Sequence, residues 1–188
     1  MTPDEILAVA QRQLNADPTS SMADIARAAH IGRATLHRYF AGRDELLLEI
    51  GTRSLDRWEQ RLDEAAVEDV AAGGDGGLIR STVEQLLERF TDDSDDFGFA
   101  LTDHFLTVEP GLAARAEALH RREVVLFAAG QRAGVLRDDV SAAWLSTAGY
   151  GLLVAAREAI RVGDVPRRGL GALVSSFFLD GASARQHD

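Results

Sequence analysis

Apolar residues recur at intervals of three and four along almost the whole chain, the spacing that lines one face of an α-helix. Ile6, Leu7, Ala10 and Leu14 form the first such face. Asn15-Ala16-Asp17-Pro18 closes it, because the proline ring disfavours helical geometry at Asp17. Ser21-x-x-Asp24 then reads as a capping box, with Asp where Glu or Gln is commoner. It opens a second helix whose buried stripe is Ile25, Ala26 and Ala29. The pattern predicts a third helix over 33–39, with Leu36 and Phe40 turned inward. Gly42 can N-cap a fourth, and Asp44 and Glu45 suit the positive end of its dipole. Leu46, Leu47, Ile50, Leu55, Trp58 and Leu62 carry the apolar stripe of that helix to about residue 70.

Gly51 interrupts the stripe at a cost of about 1 kcal/mol relative to Ala. It reads either as a site of close helix packing or as a hinge. Residues 71–77 read as a loop, and 78–90 as a helix with Ile79, Val83, Leu86, Leu87 and Phe90 inside. The acidic run 92–96 lacks the Asp and Gly spacing of a calcium loop and is expected to be a solvated break. Residues 97–108 read as helical, and a helix beginning at Glu109-Pro110 runs to Gly130 or Ala133. Gly134 caps a turn through Leu136. Two more helices are expected over 140–162 and 166–179, with Gly163 ending the first and Pro166 in the first turn of the second. Residues 181–188 look frayed. No segment alternates with a period of two, and no repeat is visible. The pattern therefore predicts an all-α fold of about nine helices. A three-helix head over 1–45 precedes a body over 46–188, and the fourth helix, 43–70, is shared.

Within 21–46 the order is helix, tight turn, helix, and the start of another helix, the layout of a helix-turn-helix DNA reader. Such a helix needs small or polar residues at its N-terminus to enter the major groove, and cationic or hydroxyl groups nearby for phosphate. Arg33, Ala34 and Thr35 begin it here. Arg33 can pair with a guanine through two hydrogen bonds, and Thr35 can bond a phosphate or touch a thymine methyl. His37, Arg38 and Tyr39 follow on its two sides. Ser21, with Met22 beside it, offers a hydroxyl and a helix N-terminus to phosphate, and Arg43 does the same at the next helix start.

The net charge of −10 opposes DNA binding until its distribution is considered. Arg12, Arg27, Arg33, Arg38 and Arg43 outnumber the acids of 1–43 by one, so the remainder carries −11. Between 21 and 43 four Arg face one Asp. A small basic head on an acidic body orients docking on a polyanion. Cysteine is absent, so disulfide and thiolate chemistry are excluded, in keeping with a cytoplasmic protein. The N-terminus has no basic, then apolar, secretory pattern. The longest uncharged run, 140–156, holds 17 residues including Ser, Thr and Gly. It reads as a buried helix rather than a membrane span, and no membrane partner is expected.

Residues 6–47 resemble the DNA-binding head of the TetR family of bacterial transcription regulators. The resemblance is carried by Ala10, Asp24-Ile25-Ala26, Ala29, Ile31, Thr35-Leu36, Phe40 and Arg43-Asp44-Glu45-Leu46. Three positions depart from the family pattern. His30 stands where the turn usually has Gly, which predicts a positive φ there. His37 replaces the family's phosphate-contacting Tyr, while Tyr39 holds a position often taken by His, and Arg43 replaces the usual Lys. The arm before Arg12 carries Asp4 and Glu5 and no Arg, which argues against minor-groove contacts.

The resemblance implies a body that binds a small molecule and forms a homodimer on a palindromic operator in double-stranded DNA. Helix 140–162 mixes Leu145 and Leu152 with Ala and Gly residues that allow close helix approach. The last helix offers Leu170, Leu173, Val174 and Phe177 as one stripe. These six residues are the candidate dimer face. Candidates for a ligand pocket are Phe97, Phe99, Phe105, Phe127, Trp144 and Tyr150, with His104, Asp103, Arg157 or Glu158 as polar anchors. His104 beside Asp103 does not make a metal pair, because adjacent helical residues point apart. His120 and His187 show no constellation. No metal, no cofactor and no catalytic residue are expected. The function expected is a sequence-specific DNA-binding regulator, a repressor released by a small molecule. The alternatives are a regulator without a small-molecule effector and, more remotely, a small all-α enzyme. Scattered His and the lack of a phosphate loop or acid–base pair oppose the last.

Overall fold

The computed structural model describes residues 1–184, apart from the side chain of Asp95. Ten helices form among these residues: α1 Pro3–Ala16, α2 Met22–Ala28, α3 Arg33–Tyr39, α4 Arg43–Glu64, α5 Val67–Gly73, α6 Gly76–Thr102, α7 His104–Val108, α8 Pro110–Arg132, α9 Ala142–Val162 and α10 Leu170–Ala182. The fold is all-α, as the periodicity predicts. No described helix is long and apolar enough to cross a membrane.

The chain divides into two compact units, 1–56 with 95–115, and 57–94 with 116–188. In the first unit, Ile6, Leu7, Ala10 and Leu14 of α1 are buried with Ile25, Ala26 and Ala29, Leu36 and Phe40, and Leu46, Leu47 and Ile50. Capping sets the helix starts. Thr2 accepts from the Glu5 backbone N–H while the Glu5 carboxylate accepts from the Thr2 N–H. Gly51 lies where α4 meets the helices that follow α6. A Cβ there would stand 2.6 Å from Leu112 Cδ1 and 2.8 Å from Leu106 Cδ2, so close packing accounts for this glycine.

The acidic run 92–96, expected as a solvated break, instead lies inside α6. The ends of this segment are held through partners distant in sequence. In the second unit, the Arg61 guanidinium donates to both Asp93 carboxylate oxygens, at 2.8 and 3.0 Å. In the first, the Asp96 carbonyl accepts from the side chains of Gln11 and Asn15, and Asn15 Oδ1 accepts from the Phe99 N–H at 2.7 Å. Asp103 then breaks the helical run by capping α7, its side chain accepting from the Leu106 N–H.

The second unit packs Leu62, Val67, Ile79, Val83, Leu87, Leu126, Phe127, Leu145, Leu153, Val174 and Phe178. Phe127 and Phe178 meet edge to face with centroids 5.8 Å apart. Helix α4 ends at Glu64 rather than near residue 70. Ala66 turns left-handed (φ 46°), and α5 redirects Val67 and Ala71 into the core. The loop expected over 71–77 shrinks to Gly74-Asp75 between α5 and α6. These helices raise the total from about nine to ten. Gly134 and Gly163 take the positive φ expected of helix ends, while α10 starts at Leu170 behind Gly169 instead of at Pro166. Residues 181–184, expected to fray, are paired: the Arg137 N–H donates to Ala182 O at 2.8 Å, and Leu136 bridges Ser183. The rest of the expected frayed end, with His187, lies outside the described residues.

Candidate nucleic-acid interface

The helix that the sequence predicts to read DNA is α3, and its local sequence explains its orientation. Leu36 is fully buried and Phe40 nearly so, one helical turn apart, which pins one side of the helix into the core of the first unit. The opposite side then presents Arg33, Ala34, His37 and Arg38 to solvent, with Thr35 and Tyr39 at the margins. Gly32 begins the helix without a side-chain cap hydrogen bond. Arg38 lies over the ring of its neighbour Tyr39, 5.2 Å from the centroid. His37 Nδ1 is 3.3 Å from the carbonyl of Ala41, just past the end of α3.

The turn before α3 is a helix C-cap. The His30 N–H donates to Arg27 O and the Ile31 N–H to Ala26 O, each at 3.0 Å, the hydrogen-bond pair of a Schellman motif. The motif requires a left-handed residue after the cap, and His30 fills it with φ 54°, as its place in the sequence predicts. Helix α2 starts at Ser21 through a reciprocal capping box with Asp24. Hydrogen bonds from the Ser21 side chain, and next from its backbone N–H, hold the Asp24 carboxyl below its usual range. The Ser21 hydroxyl is therefore already engaged at the helix start. Met22 is half-buried beside it.

Arg43 has a use the sequence does not announce. Its guanidinium donates to the carbonyl of Ser20 and, at 2.9 Å, to that of Pro18. It thereby ties the start of α4 to the loop between α1 and α2. Arg33 and Arg38 are left as the outward cations of α3.

In the first unit, Phe99 is buried, Phe97 and Phe105 are half-buried, and His104 is exposed. In the second unit, Phe127 is buried, whereas Trp144 and Tyr150 are 55% and 44% exposed. Of the candidate dimer residues, Leu145, Leu170 and Val174 are buried within their own chain and Leu152 is half-buried. Leu173 and Phe177 stand 52% and 68% exposed on α10.

The second unit also holds a polar group absent from the sequence-based candidates. Glu123 of α8 accepts from the Trp58 indole N–H at 2.6 Å and from the Ser146 hydroxyl at 2.6 Å, and Ser146 Oγ lies 3.0 Å from His120 Nδ1. Burial pushes the Glu123 carboxyl up to about 7, against the opposing pull of those two donors. His120 thus has a constellation after all. The available signal was register: Glu123 falls four residues after Leu119 and three before Leu126, on the buried stripe of α8.

Residues 6–50 match the model of the bacterial regulatory proteins of the TetR family. The chain is 29% identical over 177 residues to the HTH-type transcriptional repressor LfrR of Mycolicibacterium smegmatis, covering 91% of this chain and 85% of that protein. The crystal structure of the TetR-like regulator LfrR from Mycobacterium smegmatis in complex with proflavine superimposes with a TM-score of 0.73 at 24% identity, over 95% of this chain and 94% of that one. AibR in complex with isovaleryl coenzyme A and operator DNA gives a TM-score of 0.73 at 15% identity, over 95% and 96%. The capped helix-turn-helix with its outward Arg33 and Arg38 and the match over 6–50 agree: residues 6–50 form a DNA-binding head of the TetR type, and the chain is a helix-turn-helix DNA-binding transcription regulator.

Proposed function

We propose that the protein is a cytoplasmic repressor that binds a palindromic operator as a homodimer and leaves it when a small molecule binds the body. Residues 1–45 act as the DNA-binding domain and 46–188 as the ligand-binding and dimerisation domain. The observation that carries this reading is the exposed face of α3. Arg33, Ala34, His37 and Arg38 face outward over an anchored Leu36 and Phe40, so a groove-entering helix is held rigidly by its own core. Arg33 reads a base edge, and Arg38, His37 and Thr35 contact the flanking backbone. Ser21, Met22, Ala34, Tyr39 and Arg43 complete the contact surface, and Arg43 acts chiefly by bracing it.

Support for pairing comes from α9 and α10, where Trp144, Tyr150, Leu173 and Phe177 leave large apolar surface in water. A homodimer on a palindrome must present two reading helices about 34–36 Å apart, one turn of duplex. Support for a small-molecule effector comes from LfrR, solved with proflavine, and from AibR, solved with isovaleryl coenzyme A and operator DNA. A ligand that prefers the conformation unable to bind DNA releases the operator in proportion to its differential affinity for the two states.

The test is electrophoretic mobility shift on the DNA flanking the protein's own coding sequence, across a salt series. A specific shift that weakens steeply with salt and is lost in Arg33→Ala is expected. Absence of any sequence preference at low salt overturns the proposal.

A further inference from the structure

The row Trp58–Glu123–Ser146–His120 joins three helices of the second unit, and reading DNA makes no use of it. A carboxyl removed from water is costly unless a cation or several donors hold it. Glu123 has two donors and, among the described residues, no ion pair. Its charged neighbours are engaged elsewhere. Arg122 pairs with Asp63 and Glu68, and Arg121 with Glu117. On α4, Arg57 and Arg61 pair with Asp93. From α4 only Trp58, and from α9 only Ser146, act on the ionisation of Glu123 besides burial itself. His120, on its own helix, reaches it through Ser146. A purely structural core position would be filled by an aliphatic side chain at lower cost.

Two further features give the carboxyl a direction. Glu123 is half-buried, so part of its surface stays accessible while its carboxylate meets donors from two neighbouring helices. The hydrogen bonds also accommodate both charge states. In the neutral acid, the carboxyl O–H donates to Ser146 Oγ and the Ser146 O–H donates to His120 Nδ1. In the carboxylate, the Ser146 O–H and the Trp58 N–H both donate to Glu123, and His120 Nδ1–H donates to Ser146. Two donors leave further lone pairs of the carboxylate free for a third, cationic donor.

We propose that Glu123 is the anchor for a cationic effector, a planar nitrogen base whose N–H groups bond the carboxylate between the rings of Trp58 and His120. This rests on the reading that the body holds the effector site. Binding ionises Glu123 and releases its proton to solvent, and the ligand cation replaces that proton.

The test uses the full-length protein and proflavine as the probe, followed by fluorescence titration. Proflavine is expected to bind wild-type protein at micromolar concentration, and Glu123→Gln to weaken it about tenfold or more, the worth of a charge-assisted hydrogen bond. Glu117→Gln, at an exposed carboxylate of the same helix, is expected to change affinity less than about twofold. Far-UV circular dichroism and the operator shift check that Glu123→Gln folds. A second readout needs no variant: calorimetry of proflavine binding in two buffers at pH 7 should show a fraction of a proton released per site. The assignment is overturned by equal affinity in Glu123→Gln, by no proton release, by tighter binding of the anion anilinonaphthalene sulfonate, or by no proflavine binding up to about 1 mM. Glu123-dependent binding that fails to release the operator sinks the ligand-release reading and leaves the anchor standing. Release by a ligand indifferent to Glu123→Gln does the reverse.

Discussion

Glu123→Gln should make the protein more stable at neutral and alkaline pH, and the gain should vanish in acid. In the folded chain, burial raises the Glu123 carboxyl from its usual 4.5 to about 7. The folded state therefore holds a proton that the unfolded state has released, and stability falls as pH rises between these values. At about 1.4 kcal/mol per pH unit, full ionisation of the buried carboxyl costs about 3 kcal/mol by pH 8. Below about pH 4.5 both states are protonated and the cost is absent. Gln copies the neutral acid: its carbonyl accepts from Trp58, and its amide donates to Ser146. The difference in unfolding free energy, variant minus wild type, should thus climb by about 3 kcal/mol between pH 4.5 and 8. Trp58 is itself the reporter, because its indole bonds the carboxyl. Trp144 is the chain's other tryptophan and is exposed, so a Trp144→Phe background isolates the signal. Urea titrations of Trp58 fluorescence at several pH values measure the difference. A difference that stays flat across this range, or that falls with rising pH, refutes the reasoning.

Arg43→Ala should cost about 1–3 kcal/mol of stability, because two loop carbonyls lose a charged donor. Unchanged thermal stability with a weakened operator shift would instead make Arg43 a pure phosphate contact. His30→Gly should stabilise the head by about 1 kcal/mol by removing a side chain from a left-handed position, read from its denaturation midpoint. A destabilised His30→Gly would mean that the imidazole makes a contribution the backbone argument omits. Gly51→Ala should destabilise by about 1 kcal/mol, since overpacking against Leu106 and Leu112 outweighs the gain in helix propensity. Operator affinity measured alongside should hold. A stable Gly51→Ala that binds operator but no longer lets it go would restore the hinge.

The head was legible because its signals are local. Ser21 and Asp24 sit in one capping box, Asp17 and Pro18 end one helix, and Leu36 and Phe40 lie one turn apart, so each feature is decided within a few residues. The left-handed His30 was expected from the resemblance, which has Gly at that turn, and the N–H groups at 30 and 31 close on carbonyls at 27 and 26. Errors appear where distant partners decide. The aspartates of 92–96 look like a solvated break until Arg61 and Asn15 are brought beside Asp93 and Asp96. The turn at Ala66 carries no Gly or Pro, and what sets it is the burial of Val67 and Ala71 on the far side. Propensity is a weak prior there, and tertiary packing overrides it.

The same division separates the two halves of the function. DNA reading is written in consecutive residues, since one seven-residue helix carries both the anchor and the exposed face. Effector chemistry is not, because Glu123 meets Trp58 across 65 positions and Ser146 across 23. Arg121, Arg122 and Glu123 are three consecutive charged residues of α8. Successive residues on a helix point about 100° apart, so such a run need not share one face. Arg121 stays exposed with Glu117, Arg122 reaches Asp63 and Glu68, and Glu123 turns inward. The two arginines before it therefore neither neutralise Glu123 nor screen it, and its ionisation is set chiefly by burial. An acidic residue with cationic neighbours in sequence and no ion pair among the described residues is left to be neutralised by a proton or by a ligand, and competition between those two is what the effector site would exploit.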